Sequence, residues 1–284
     1  MIVLPQAGRV AVMAVINRTP DSFYDKGATF ALDAAVASAL AAREQGADWV
    51  DIGGVPFGRG PAVGVQEEID RVAPVVERIV AESDVVISVD TNSAAVAEAA
   101  IAAGARVIND TSGLGDDAMA GVVAASDAHL VITHSVGPPR AEKPPAHYDD
   151  VVAEVTLFLQ DRVARAQAAG IPRDRLIADP GHDLDKNTLH TLELTRRFDE
   201  FGVLGLPLLA AVSNKDFIGE SLGAPQGQRL EGSIAAMVVC ILKGARVVRM
   251  HDIPQSVAAV RMTEAILGLR DPVRVEHNAQ EWNV

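Results

Sequence analysis

Polar side chains close eight short apolar runs: Asn17, Asp51, Asp90, Asn109, His134, Asp179, Ser213 with Lys215, and Arg249 with His251. Asp90, Asn109 and Asp179 supply two carboxylates and an amide, a set that can hydrogen-bond the edge of a flat, nitrogen-rich heterocycle. Lys215, Arg249 and His251 supply donors and positive charge, and an Arg fork matches phosphate oxygens in pairs. Taken singly, an Asp after a strand more often just caps the next helix. Eight such exits converging on one mouth would instead make a site for a heterocycle bearing an anionic, phosphorylated group. No His, Asp or Glu cluster has metal-site spacing. A Mg2+ held by phosphate and one or two protein oxygens leaves little trace in a sequence.

The elements that would position these groups are legible. Runs rich in Val and Ile occupy 10–16, 49–52, 85–89, 106–108, 129–133, 176–178, 207–212 and 246–249. They are too short for helices and apolar on both faces, as strands of a parallel sheet covered on both sides should be. Helix-like segments lie between them at 30–45, 65–82, 94–103, 118–126, 149–169, 187–200, 230–243 and 256–269. Ser93 and Asp149 are the expected caps, and Gly46, Gly104, Gly170 and Gly244 the expected stops. The joints Gln-Gly-Ala-Asp-Trp-Val, Ala-Gly-Ala-Arg-Val-Ile and Lys-Gly-Ala-Arg-Val-Val repeat one helix–Gly–strand design. The reading is an α/β fold, a single-domain (β/α)8 TIM barrel over residues 1–272, with 273–284 as a disordered tail. An open doubly wound sheet is the rival; no GxGxxG follows the first run, which weakens its dinucleotide-binding form. A Pro-rich surface loop is expected at 135–147.

Of the 284 residues 49% are apolar but only 4% aromatic, so the core must be aliphatic. A net charge of −13 argues against a nucleic-acid surface without excluding a locally positive pocket. The single cysteine, Cys240, excludes an intrachain disulfide and reads as a small core residue. No apolar run approaches the ~20 residues of a membrane span. Pro5 and Arg9 interrupt the apolar start, and a cytoplasmic location is expected.

Seven ordered motifs then carry a resemblance: Asn17-Arg-Thr-Pro-Asp-Ser-Phe-Tyr-Asp-Lys-Gly27, Asp51-Ile-Gly-Gly54, Ser88-Val-Asp-Thr91, Ile108-Asn-Asp110, Asp179-Pro-Gly181, Ser213-Asn-Lys215 and Arg249-Met-His-Asp252. Together they resemble the dihydropteroate synthase family over residues 9–270. That resemblance implies condensation of a dihydropterin-methyl diphosphate with para-aminobenzoate, releasing diphosphate. Asp90, Asn109, Asp179 and Lys215 match the family's pterin contacts. Asn17, Arg249 and His251 match its diphosphate contacts, with Mg2+ beside Asn17. The catalytic work would fall to Asp90, Lys215, Arg249 and His251: stabilising a carbocation-like methylene and the departing diphosphate, with no protein nucleophile. The family commonly dimerises through its last helices, and the apolar 234–242 segment is compatible with a homodimer.

The departures from the family cluster. Val55-Pro56-Phe57-Gly58-Arg59-Gly60 replaces the usual Glu-Ser-Thr-Arg-Pro-Gly, a loop that closes over para-aminobenzoate. Gly181-His-Asp183-Leu184-Asp185-Lys186 replaces Gly-Phe-Gly-Phe-Gly-Lys, losing the Phe that shields the methylene. Asn214 and Asp216 replace the Arg and second Ser of Ser-Arg-Lys-Ser, while Arg18 and Lys26 return positive charge on the first loop. At ~8 Å and a dielectric of ~40, each added carboxylate would cost an anionic ligand roughly 1 kcal/mol. Asp183, Asp185 and Asp216 are thus expected to weaken binding by about 10- to 100-fold. The expectation is a divergent synthase-like barrel with weak or absent condensation. The alternatives are a fully active synthase of folate synthesis and a non-catalytic pterin-binding or regulatory protein.

Overall fold

Alternating Val/Ile runs and Ala-rich segments fold as a ring in the computed structural model, which describes residues 4, 8–18, 31–56, 60–137 and 147–277. The strands are β1 (Ala11–Asn17), β2 (Trp49–Gly53), β3 (Val86–Asp90), β4 (Val107–Asp110), β5 (His129–Thr133), β6 (Leu176–Asp179), β7 (Leu208–Ala210) and β8 (Ala245–Met250). They close in sequence order, every neighbour parallel, with β8 against β1. Around them lie α1 (Leu32–Glu44), α2 (Val65–Glu82), α3 (Ala94–Ala103), α4 (Met119–Ala124), α5 (Val151–Ala168), α6 (Thr188–Arg196), α7 (Asp216–Leu222), α8 (Leu230–Leu242) and α9 (Ile253–Ile266). The eight-unit barrel is therefore as expected, and the open sheet is excluded.

Side chains alternate across each strand, and the two faces have separate jobs. Met13, Trp49, Val107, Val131, Ile177 and Val247 pack together as a buried plug inside the ring. The opposite parity, including Val12, Val50, Ile108, Leu130 and Val248, joins the helices in the larger core. Two residues on from the plug, the same parity brings Asp51, Ser88, Asn109, Asp179 and Arg249 over it, and a further step reaches Asp90 and Asn17. A plug of apolar side chains under a polar layer is what positions the site.

Local differences from expectation have physical reasons. Gly46, Gly104, Gly170 and Gly244 all end helices with positive φ, between 101° and 113°. Ser93 makes no side-chain cap; Asp116 Oδ2 accepts from Ala94 N instead, at 2.8 Å. The cap of α5 is Asp150 rather than Asp149, accepting from Val152 and Ala153 N–H. The expected 187–200 helix stops at Arg196 and gives way to a tighter turn, Phe198–Leu204. The seventh strand shortens to three residues, α7 follows it unforeseen, and the last helix starts at Ile253, with Pro254 in its first turn. Residues 273–277 form no helix or strand; residues 278–284, Lys26 and most of the 135–147 loop lie outside the described residues.

Pro74 sits inside α2 and offers no N–H to the carbonyl of Asp70. Arg18 Nη1 donates to that carbonyl at 3.0 Å and to Arg71 O at 2.5 Å, while Arg71 Nη1 donates to Gly54 O at 2.8 Å. The chain leaving β1 and the chain leaving β2 are thus both fastened to α2 by arginines.

Candidate active site

Asp51, fully buried, is the hub of the polar layer. Arg249 Nε donates to its Oδ2 at 2.6 Å, Asn109 Nδ2 to the same oxygen at 3.0 Å, and Ser88 Oγ to Oδ1 at 2.6 Å. Arg249 Nη2 reaches across to Asp90 Oδ2 at 3.1 Å, and Thr111 Oγ1 donates to Asp90 Oδ1 at 3.2 Å. One guanidinium therefore bridges two carboxylates, leaving Nη1, among the described residues, to meet an anion. Burial pushes the Asp90 carboxyl up to about 7, against the pull of Arg249 and with a push from Asp51.

Asn109 is oriented by its partners. A carboxylate can only accept, so the amide nitrogen must face Asp51 and Oδ1 faces away. That oxygen is buried and has no hydrogen-bond partner among the described residues. A buried acceptor left unmatched costs free energy unless a ligand N–H reaches it.

Asp179 is buried at the end of β6, with Oδ1 accepting from Gly181 N at 2.8 Å. Burial raises its pKa, opposed by that bond and by the charges of Lys215 and Lys186. Lys215 lies in the field of Asp183, Asp179 and Asp90, but desolvation dominates and lowers its pKa. Ser213 Oγ accepts from His251 N at 3.2 Å and contacts His251 Nδ1 at 2.9 Å. With the hydroxyl proton turned to Nδ1, the ring proton sits on Nε2 as a donor. Asn17 Oδ1 lies 3.4 Å from where a Cβ on Gly53 would stand, with the Asp90 side chain near the same point. A larger residue at 53 would fill the space that Asn17 overlooks.

The structure therefore joins Asp90, Arg249 and Asn109 in one network, sets Asp179 and Lys215 within its electrostatic reach, and places His251 on Ser213. Asp51, one of the polar strand exits, and Ser88, seen only inside a motif, were given no role from the sequence and are the connecting residues; period-two parity within β2 and β3 was the available signal.

The aspartates of the altered loops have partners within the protein. Asp216 is paired with Arg229 at 2.9 Å. Asp183 Oδ2 accepts from Phe217 N at 3.1 Å. Asp185 Oδ2 accepts from Ser135 Oγ and Val136 N at 2.9 and 2.6 Å. Asp216 thus has a counter-ion in Arg229, whereas Asp183 and Asp185 are held by neutral donors that orient their carboxylates without cancelling the charge. Asn214 takes a left-handed backbone, φ 58°, with Oδ1 accepting from Gly227 N at 3.3 Å. Asn is among the residues that tolerate that region best. Leu184 N–H donates to Gly181 O at 3.1 Å. Val55 is half-buried and Pro56 buried, while Phe57, Gly58 and Arg59 lie outside the described residues.

Comparison with known proteins identifies the family. Residues 13–251 match the family model described as pterin binding enzyme. The chain is 44% identical over 278 residues to inactive dihydropteroate synthase 2 of Mycobacterium leprae, covering 94% of each chain. It is 38% identical over 266 residues to dihydropteroate synthase of Escherichia coli, covering 93% of this chain and 94% of that one. Among solved structures, Xanthomonas albilineans dihydropteroate synthase with 4-aminobenzoic acid superposes with a TM-score of 0.85 at 40% identity, covering 92% and 94% of the two chains. The chain belongs to the dihydropteroate synthase family of pterin-binding enzymes.

Proposed function

We propose that the barrel holds a dihydropterin-methyl diphosphate in its polar layer and condenses it with para-aminobenzoate weakly or not at all. The unmatched Asn109 Oδ1 carries the first half of the reading: a buried acceptor among Asp90, Asp179 and Lys215 suits the N–H-bearing edge of a pterin. Arg249 Nη1 and the His251 Nε2 proton suit the diphosphate arm, and Asp90 suits a methylene that gains positive charge as the C–O bond to diphosphate breaks. The electrons of that bond leave with diphosphate, and the amine nitrogen of para-aminobenzoate closes on the carbon and sheds a proton.

Mg2+ fits here as a partner of the substrate rather than of a protein cage. The described residues hold no cluster of three or more His, Cys, Asp or Glu ligands, and Asn17 Oδ1 over Gly53 is an oxygen suited to a cation already bound by phosphates. Bound with the diphosphate, the ion would neutralise charge on the leaving group. Lys215 and Asp179 hold the heterocycle, while Arg249 and His251 orient the arm.

The second half of the reading rests on the altered loop after β2. Val55 and Pro56 offer no side-chain polar group where the family carries Glu and Ser. Closure that places the amine and excludes water is then impaired, and a misplacement of ~1 Å costs on the order of 100-fold. The name of the M. leprae relative supports the same direction. A homodimer is consistent with the exposed Val239 and Leu242 of α8. A cytoplasmic site of action is consistent with the described residues having no helix long and apolar enough to cross a membrane.

Diphosphate release, followed with and without para-aminobenzoate beside the E. coli relative, tests this. The amine-dependent rate should be at least about 100-fold lower. Writing Glu-Ser-Thr-Arg-Pro back at positions 55–59 together with Asn214→Arg should raise it. A native chain that matches the relative's rate, or a restored loop that gains nothing, would contradict the reading.

A further inference from the structure

The loop between β6 and α6 touches its neighbours on both sides. Gly181 has φ 73°, and a Cβ there would stand 2.2 Å from His134 O, so the loop leaves β6 hard against the exit of β5. Asp183 and Asp185 then take φ of 61° and 53°, a left-handed backbone that costs L side chains energy and that glycine adopts freely. Their carboxylates are used at a distance. Asp183 accepts from the backbone N–H of Phe217, two residues past Lys215, and its own N–H donates to Thr191 Oγ1 at 3.3 Å. Asp185 accepts from Ser135 Oγ and Val136 N–H, directly past His134, and its carbonyl accepts from Tyr148 OH at 2.8 Å. Lys186, buried, closes the loop: Nζ donates to Gly181 O and Leu184 O at 2.9 Å each and lies 2.8 Å from His134 Nδ1.

We propose that Asp183 and Asp185 are positioning residues, which from one left-handed loop pin the chain that carries Lys215 on one side and the chain that follows His134 on the other. Three adjacent strand exits are thereby held in register by protein contacts alone. Strained backbone at two consecutive odd positions, each matched by a carboxylate bonded to a different loop, is what a tie across loops requires. Two solvated surface aspartates would have no such partners. The electrostatics agree: Asp183 is the leading charge supporting Lys215 against its desolvation. The functional consequence, correct placement of Lys215 for the pterin, rests on the proposed function; the tie itself does not.

Glycine and asparagine variants separate the possibilities. Asp183→Gly removes the acceptor while relieving the backbone, so strain cannot explain its effect; Asp183→Asn keeps an acceptor oxygen and removes the charge. Amide exchange should rise about tenfold in the 216–222 segment of Asp183→Gly and stay unchanged at 135–137. Asp185→Gly should give the reverse pattern, and both Asn variants should stay near wild type. Calorimetric affinity for 7,8-dihydropterin-methyl diphosphate should fall about tenfold in Asp183→Gly and recover in part in Asp183→Asn, which restores the tie but not the charge beside Lys215. Equal changes in both segments, unchanged exchange, or Asn variants as loose as Gly variants would overturn the proposal. Should wild-type protein take up no pterin, the proposed function fails, and the exchange patterns still decide on the tie.

Discussion

Replacing Arg249 by Met should destabilise the barrel by about 3–5 kcal/mol, the cost of breaking a buried pair by removing one partner. Asp51 is fully buried, and its remaining partners, Ser88 and Asn109, are neutral. Asp90 faces the same loss, and its carboxyl, already pushed up to about 7 by burial, would take a proton at neutral pH to limit the damage. Arg249→Lys should fall between, since an ammonium is a point charge and cannot fork to both carboxylates. Removing both ends with Asp51→Asn and Arg249→Met should recover part of the loss, because only Asp90 is then left without its arginine and it can take a proton. Urea midpoints for the four proteins measure this. A loss below about 1 kcal/mol in Arg249→Met would mean the pair is solvated like a surface bridge.

Exchanging His182 for Phe should protect the protein from acid. His182 is buried, stacks on Phe198 with centroids 5.8 Å apart, and among the described residues has Nδ1 without a partner and its other nitrogen against Cys240 Sγ alone, at 3.9 Å. Burial holds its pKa down to about 3 from 6.5, and the charges of Lys215 and Lys186 push the same way. The unfolded chain takes a proton below pH 6.5 and the folded one resists it. The stability due to a neutral His182 is therefore present above 6.5 and drains away as pH falls toward 3. At pH 5 that loss is roughly 2 kcal/mol. The Phe variant, which fits among Phe198 and Phe217 and brings no orphan nitrogen, should lose about that much less between pH 7 and pH 5. Parallel losses in wild type and variant would refute the assignment.

What sequence reasoning reached was set by local chemistry. Helices such as Val65–Glu82 and Ala94–Ala103 carry strong periodicity or a closing glycine, and their bounds match. Helix α7 has only seven residues, too few to display a period, and went unseen. The strand-exit rule found Asp90, Asn109, Asp179, Lys215 and Arg249. It also marked Asp51, but not its place at the centre of their network, which depends on an arginine 198 positions away. The aspartates of the altered loops show the same limit from the other side. Composition gives their charge, but only tertiary structure gives Arg229, Phe217 N–H and Val136 N–H as the groups that use it. Two of them and Asn214 share a left-handed backbone, which links three scattered substitutions to one conformational demand.

Calorimetric titration with dihydropterin-methyl diphosphate measures most directly whether the polar layer is a pterin pocket. One saturable site per chain is the expected result, abolished by Lys215→Ala and Asp90→Ala and untouched by Asp161→Ala on the exposed face of α5. Absence of binding by the wild type, or equal weakening by all three substitutions, would contradict it.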